Sequence, residues 1–516
     1  MSFTVRAAGR AIAVEPGTRL SQALNAAEVF VETPCGNRGY CRKCAVKVTS
    51  GAPAPTPADL DQLAPEELEL GYRLSCQITV QCDLEVAIVP AAMADVKKAA
   101  MGRLAGPVAI DPWAPLLPFG RSVGLALDVG TTSMVGALLN LRTGEELAAE
   151  SRPNPQAIHG ADLMSRLSYA TSAESAAQEL QTLVTGAARQ MLERLRSKAG
   201  VKPHEVTVGT LVGNTAMHHL FLGFDVGGLA LAPYTPAQLE GCMVRLPGLP
   251  PVYALPNIAG FVGADAVAAG LAADIDNGEA TRLVVDIGTN GEMLLRHQGA
   301  VYACSAPAGP AFEGGEISQG MRANPGAIEG VTVTDDGRLQ IATIPGAPPK
   351  GICGSGLLDA VASLQKAGLM DWTGRLTTGA AVALAPGVAL TQKDVRALQL
   401  AKGAIRSGID LLLQVAGITP DQIDEILLAG AFGNYLRRES AIAIGLLPPV
   451  APAKVRPIGN AAAAGAKLAL LSRSGRARAE ALARSARHID LATHPDFEEI
   501  FMAALNFPRE GRNPAP

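Results

Sequence analysis

The sequence predicts an α/β protein in two parts: a small N-terminal α+β unit, then a larger unit of two duplicated lobes. Three observations carry that expectation. Three cysteines crowd into "TPCGNRGYCRKCAVKV", Thr33 to Val48, and a fourth follows in "GYRLSCQI". Two segments echo each other, "VGLALDVGTTSMVGALL" from Val123 and "TRLVVDIGTNGEMLLR" from Thr281. Finally, 516 residues exceed one ordinary core, so roughly two to four domains of ~100 to 200 residues are expected. The expected boundaries are 1–90 for the first unit, 91–121 for a linker, 122–280 and 281–471 for the lobes, and 472–516 for a helical tail.

In the first unit, alternation runs from Phe3 to Val14, a short helix is expected around Leu20 to Ala27, and strands at Cys44 to Thr49 and Leu84 to Val89. Cys35, Cys41, Cys44 and Cys76 follow a C-x5-C-x2-C-x31-C order. Four thiolates in this order fit a 2Fe-2S cluster, with three ligands from one loop and the last from a distant segment. Gly36 and Gly39 suit a loop wound tightly enough to need positive φ. Structural zinc also takes four thiolates, but usually from paired C-x2-C units, and only one such pair is present. Cys82 is a rival ligand, expected instead to be a buried free thiol, while Cys242, Cys304 and Cys353 are expected to be small core residues.

The net charge of −4 and pI near 6.0, with no long basic run, leave no electrostatic footprint for nucleic acid or an anionic membrane. No apolar run approaches the ~20 residues of a spanning helix, and the first residues lack a signal-peptide pattern. A cytoplasmic location is expected, where eight cysteines serve as thiols or metal ligands rather than disulfides. The Pro-rich stretch from Pro90 to Ser122 reads as a connector, with Trp113 and Phe119 available to dock it.

Each repeated segment is an apolar strand ending in Asp-x-Gly-Thr and followed at once by a second strand. The two aspartates lie 158 positions apart, which suggests a duplicated domain. A tight glycine turn exposes N–H groups, threonines add hydroxyl donors, and aspartate can hold hydrated Mg2+. Asp128, Gly130, Thr131 and Thr132 form one jaw; Asp286, Gly288, Thr289 and Asn290 form the other. A later strand runs into Gly430-Ala431-Phe432-Gly433, and Gly354, Ser355 and Gly356 open an apolar helix whose free N–H groups favour an anion. Lys402 and Arg406 lie one turn apart on the helix from Asp394. No P-loop or complete dinucleotide fingerprint is present.

These motifs carry three resemblances. Residues 1–90 resemble a ferredoxin of the adrenodoxin-like kind, a β-grasp fold, with five rather than four residues between the first two ligands. Residues 122–471 resemble the actin/Hsp70/sugar-kinase superfamily. In that superfamily two aspartate turns and a later glycine turn supply phosphate-1, phosphate-2 and adenosine motifs in this order. The likeness implies an ATPase, with Gly430 and Gly433 against adenosine and Lys402 with Arg406 at ribose or phosphate. The whole chain, with "NPQAIHGADLMSRL", "VGNTAMHHL", "ACSAPAGPAFEGG" and "LAGAFGNYL", resembles the reductive activators of corrinoid proteins. This implies ATP and a 2Fe-2S cluster returning Co(II) corrinoid to Co(I), a corrinoid protein of a methyltransferase, demethylase or methionine synthase system as partner, and an external electron donor. Dimers are common in the ATPase superfamily.

Asp128 and Asp286 are the expected Mg2+ and water-positioning residues. Glu292 either orients the attacking water or plays a supporting part. Adjacent His218 and His219 are expected to be packed rather than to ligate cobalt, and one reading turns Ser305 toward the partner's cobalt. Two alternatives stand beside the favoured function: an activator of another low-potential enzyme, and a ferredoxin fused to a non-catalytic ATP-sensing module.

Overall fold

The structure is a computed structural model. It describes residues 2–509 apart from residues 28, 30, 32, 34, 35, 40–43, 64, 88–109, 115, 161, 335–337 and 434. The N-terminal unit is a five-stranded sheet in the order Arg10–Val14, Phe3–Ala7, Leu84–Ala87, Ala45–Ser50, Tyr72–Leu74. The alternation from Phe3 to Val14 is a hairpin, broken at Ala8 and Gly9, both with positive φ. Phe3–Ala7 pairs in parallel with Leu84–Ala87, and helix Leu20–Ala26 lays Leu20 and Leu24 on the sheet. This is the expected β-grasp arrangement. Cys82, expected to be buried, is exposed: it lies outside the strands, with Sγ near the Gly51 carbonyl at 3.6 Å.

Each lobe carries a six-stranded sheet, and the two sheets share a plan. In lobe 1 the Asp128 strand, Val123–Val129, pairs antiparallel with Ser133–Asn140 and in parallel with Val206–Val212. In lobe 2 the Asp286 strand, Arg282–Ile287, pairs antiparallel with Gly291–His297 and in parallel with Glu425–Ala429. Strands buried on both faces are continuously apolar, which is why these read as runs of Val and Leu. Each aspartate therefore ends a central strand beside a parallel neighbour.

Two helices cross between the sheets. Ala264–Ala272 leaves lobe 1, and Ala461–Leu471 leaves lobe 2 to lie against the lobe 1 sheet, where Thr210 Oγ1 donates to the Ala466 carbonyl at 2.9 Å. Their small residues allow a close approach: a Cβ on Gly465 would lie 2.0 Å from the Ala268 carbonyl oxygen. From the linker, Trp113 Nε1 donates to Ala469 O at 3.0 Å and its ring meets Tyr253 edge-on. Phe119, by contrast, is 89% exposed and docks nothing.

The long helix Gln392–Ala416 begins at a capping box between Thr391 and Asp394 and ends at Gly417 with φ 69°. Tail helix Phe497–Leu505 packs along it. This overturns the nucleotide role expected of Lys402. Its Nζ donates to Ala504 O at 2.6 Å and to Asn506 O, and sits 4.8 Å over the Phe507 ring. Periodicity placed Lys402 beside the buried stripe, and the tail covers that face, so the ammonium caps the helix C-terminus instead. Arg406 is likewise engaged, with Asp410 and the Leu447 carbonyl.

Two outcomes follow. Gly465→Ala forces the crossing helices apart and lowers stability by about 1–3 kcal/mol, read by calorimetry. Lys402→Met leaves two carbonyls without their donor, at about 1–3 kcal/mol; hydrogen exchange then quickens across residues 497–507 while lobe 1 keeps its protection.

Candidate functional site

The two aspartate turns face each other across a cleft. In the first, Gly130 N donates to Ser133 O at 2.9 Å, and a Cβ at Gly130 would crowd that oxygen at 2.9 Å. In the second, Gly288 N donates to Asn290 O at 3.0 Å. Thr131 Oγ1 accepts from Asn214 Nδ2 at 2.8 Å, so its proton remains available to donate. Thr132 and Thr289 both donate to one carboxylate, Glu313, at 3.3 and 2.8 Å. Glu313 therefore bridges the jaws with an anion at their threonines. Its motif, "GPAFEGG", carries no local signal of that role.

Four carboxylates floor the cleft. Asp128 and Asp286 are joined by Asp265, at the start of helix Ala264–Ala272, and by Glu292 on the strand after Asp286. All four are half-buried by exposed area and otherwise walled by protein. Loss of water pushes Asp128 up to about 6 and Asp286 up to about 7, the latter helped by the charge of Asp128. Asp265 is raised to about 7 by burial and then by Asp128, and Glu292 is raised by burial, Asp265 and Asp286. Asn460 Nδ2 steadies Asp128 with a 3.0 Å hydrogen bond, and Ser305 bonds Glu292. Among the described residues no three acidic, Cys or His side chains converge on a bare metal ion. Such crowded carboxylates attract a cation, and Mg2+ is typically held by one or two carboxylates while keeping several waters.

The glycine-rich turn closes on the same floor. Gly430 has φ 82°, and a Cβ there would lie 2.5 Å from Asp286 Oδ1. Gly433 packs on Leu428, and Phe432 stacks near Phe312, one residue before Glu313. Gly354 and Gly356 open helix Gly354–Lys366, where added Cβ atoms would meet Phe312 O at 1.9 Å and Ile328 O at 2.0 Å. Close backbone packing requires both glycines. Ser355 lines a cavity of about 460 Å3 with Asp359, Tyr435 and Arg437. Of the residues expected at the nucleotide, Lys402 is spent on the tail and Arg406 on Asp410 and the Leu447 carbonyl. His218 and His219 are wholly buried in lobe 1, where His219 bonds Thr215 O and Gln238 N.

In the N-terminal unit Cys44 and Cys76 are buried side by side in one small apolar cluster. Ser75 Oγ donates to Cys44 O at 2.8 Å, tying the last-ligand segment to the loop. Gln77 Nε2 lies 3.3 Å from Cys76 Sγ, a donor suited to a thiolate. Gly36, Asn37 and Gly39 all take positive φ, as a tight loop demands. These features fit a 2Fe-2S cluster; Cys35 and Cys41 lie outside the described residues.

Comparison with known proteins agrees with this architecture. Residues 3–81 match the 2Fe-2S iron-sulfur cluster binding domain, residues 123–278 the RACo middle region, and residues 280–516 the C-terminal domain of RACo, the ASKHA domain. The chain is 36% identical over 418 residues to the corrinoid activation enzyme RamQ of Eubacterium limosum, covering 74% of this chain and 70% of that protein. It is 28% identical over 439 residues to the Co(II) methylated amine-specific corrinoid protein reductase of Methanosarcina barkeri, covering 75% and 77%. A solved reductive activator for corrinoid, iron-sulfur protein aligns over 98% of both chains with a TM-score of 0.69 and 29% identity. A thiolate loop joined to a two-jawed, carboxylate-floored cleft, in a chain with these relatives, belongs to the family of reductive activators of corrinoid proteins.

Proposed function

We infer that the protein uses ATP to drive one electron from its 2Fe-2S cluster to the Co(II) centre of a corrinoid protein, restoring the Co(I) needed for methyl transfer. The observation that carries this reading is the meeting of both aspartate turns and the Gly430 turn on one acidic floor, in a chain that also holds the cysteine loop. When bound, the cluster supplies single electrons at low potential, near ~−400 mV in plant-type ferredoxins.

Electrons and atoms balance simply. One electron reaches cobalt, water converts ATP to ADP and phosphate, and an external low-potential one-electron donor restores the cluster. An acceptor ~200 mV lower sets a gap of roughly 4.6 kcal/mol, at ~2.3 kcal/mol per 100 mV. A full nucleotide-driven population swing is worth about 5.5 kcal/mol. The two magnitudes match, so ATP suffices to bias the transfer.

The chain's own residues divide the work. Asp128 and Asp286 orient the water shell of Mg2+, with Asp265 adding charge behind them. Thr131, Thr132 and Thr289 donate to phosphate oxygens. Glu313 accepts from two of those threonines, and a phosphate arriving there displaces it, because two anions cannot share the same donors. The Gly430 and Gly433 backbone lies against adenosine, and Gly354, Ser355 and Gly356 present a helix start to an anion. The reduced thiolates accord with a cytoplasmic setting; among the described residues no helix is long and apolar enough to cross a membrane.

The crowded carboxylates make a signed prediction. Asp286 sits at about 7 against an ordinary 3.8, so the folded state binds its proton more tightly than the unfolded chain. Its stability contribution therefore falls as pH rises from ~4 to ~7. Asp286→Asn removes that loss: at pH 8, without nucleotide or Mg2+, stability rises by about 1 kcal/mol, allowing for solvent contact, or ~2–4 °C in Tm. At pH 4 the gain vanishes, while ATP-dependent Co(I) formation drops about 100-fold or more. The function itself is tested anaerobically. Reduced protein mixed with a Co(II) corrinoid protein yields the Co(I) absorption only when ATP is present; equal yields without ATP refute the coupling.

A further inference from the structure

The first phosphate turn is held from behind by one segment, residues 154–166. All three of its carbonyls are taken. Asn154 Nδ2 donates to Gly130 O at 2.8 Å, Asn154 N to Thr132 O at 3.0 Å, and Arg166 Nη2 to Thr131 O at 2.6 Å. Arg166 is completely buried in lobe 1 and also donates, through Nε, to Gly160 O at 2.9 Å. Burial without a tight acidic partner pushes its guanidinium down to about 9. Its cost is offset by the carbonyls it meets, so removing those hydrogen bonds would leave a buried charge unsatisfied.

The opposite side of the same segment seats the cysteine loop. Asn37 Nδ2 donates to Ile158 O at 2.6 Å, and Thr33 Oγ1 to Ala157 O at 3.2 Å. Gly36 lies beside Gly160, where a Cβ on it would be in ordinary van der Waals contact with Gly160 Cα at 3.9 Å. These three residues flank Cys35. Gly160 is thus the joint, with Arg166 on one face and the cysteine loop on the other. Asn154 stands between Pro153 and Pro155, whose rings restrict φ, so a displacement at the turn is passed on rather than absorbed.

We propose that residues 154–160 and 162–166 form a strut through which occupancy of the first phosphate turn repositions Thr33, Gly36 and Asn37 of the cysteine loop, making Asn154, Arg166, Thr33 and Asn37 positioning residues for electron transfer. The peptide planes of Gly130 to Thr132 turn their carbonyls toward the strut, while the Gly130 N–H is spent on Ser133 O within the turn. A phosphate that turns those planes also moves the acceptors of Asn154 and Arg166, and with them Gly160. By linkage, the seated loop changes nucleotide affinity by the same factor that nucleotide changes the seating. This inference rests on the ATP reading above, and its test can fail separately.

The experiment follows the electron paramagnetic resonance spectrum and midpoint potential of the reduced cluster in the full-length protein, with and without a non-hydrolysable ATP analogue. The wild type is expected to change on adding the analogue. Two variants on opposite sides of the strut, Thr33→Val with Asn37→Ala, and Arg166→Lys, are expected to lose the change. Analogue affinity in the first variant should shift about 5-fold or more. An unchanged wild-type spectrum and potential, or a full response in either variant that folds, overturns the strut. The two readings separate cleanly. ATP-dependent Co(I) formation without any analogue-induced change sinks the strut alone, whereas an analogue-induced change without Co(I) sinks only the function.

Discussion

The burial of Asp128, Asp265, Asp286 and Glu292 on one floor, with charge repulsion among them second, governs the rest of the site. Four carboxylates from both halves of the molecule share one poorly hydrated floor. Such a floor is stable only when protons or a cation offset the charge. That cost ties the charge state of the floor to the relation between the lobes. It also explains the neutral and hydrogen-bonding company the carboxylates keep: Asn460 on Asp128, Ser305 on Glu292, and the bare backbone of Gly430 against Asp286.

The duplicated hairpins bring the floor together, and the crossing helices hold it. Because Ala461–Leu471 belongs to the end of lobe 2 but rests on the lobe 1 sheet, the lobes are interlocked rather than merely adjacent. Only residues without bulk permit that crossing, which is why the contact is built from alanine and Gly465. Glu313 adds a second tie across the cleft mouth, formed by hydrogen bonds from Thr132 and Thr289. One tie is close backbone packing and the other is a shared carboxylate.

The N-terminal unit is no loose appendage at its inner edge. The loop bearing Cys35 leans on backbone carbonyls of residues 157 and 158, and the same segment grips the first phosphate turn. Redox loop and nucleotide turn are therefore separated by a single short stretch of chain, stiffened by proline. Nothing in the spacing of either motif announces this, since residues 33–37 and 154–166 are more than a hundred positions apart.

Local chemistry was legible from the chain alone. Thiolate order, paired Asp-x-Gly-Thr turns, apolar central strands and the small N-terminal sheet all depend on neighbours within a few residues, so the sequence by itself determined where the cysteines and aspartate turns fall and which strands lead into those turns. Sequence pattern placed Lys402 beside the buried stripe of its helix but not what covers it; the tail helix does, and so a lysine suited to phosphate became a cap for Ala504 and Asn506. Cys82 was misjudged because a thiol's burial depends on sheet edges that spacing does not reveal. The parts of Glu313, Asp265, Asn460 and Arg166 were silent in the sequence, although Glu313 and Arg166 lie inside two of the quoted motifs. Only the tertiary structure decided their parts, because hydrogen bonding and charge repulsion act through space, between residues that folding alone makes neighbours.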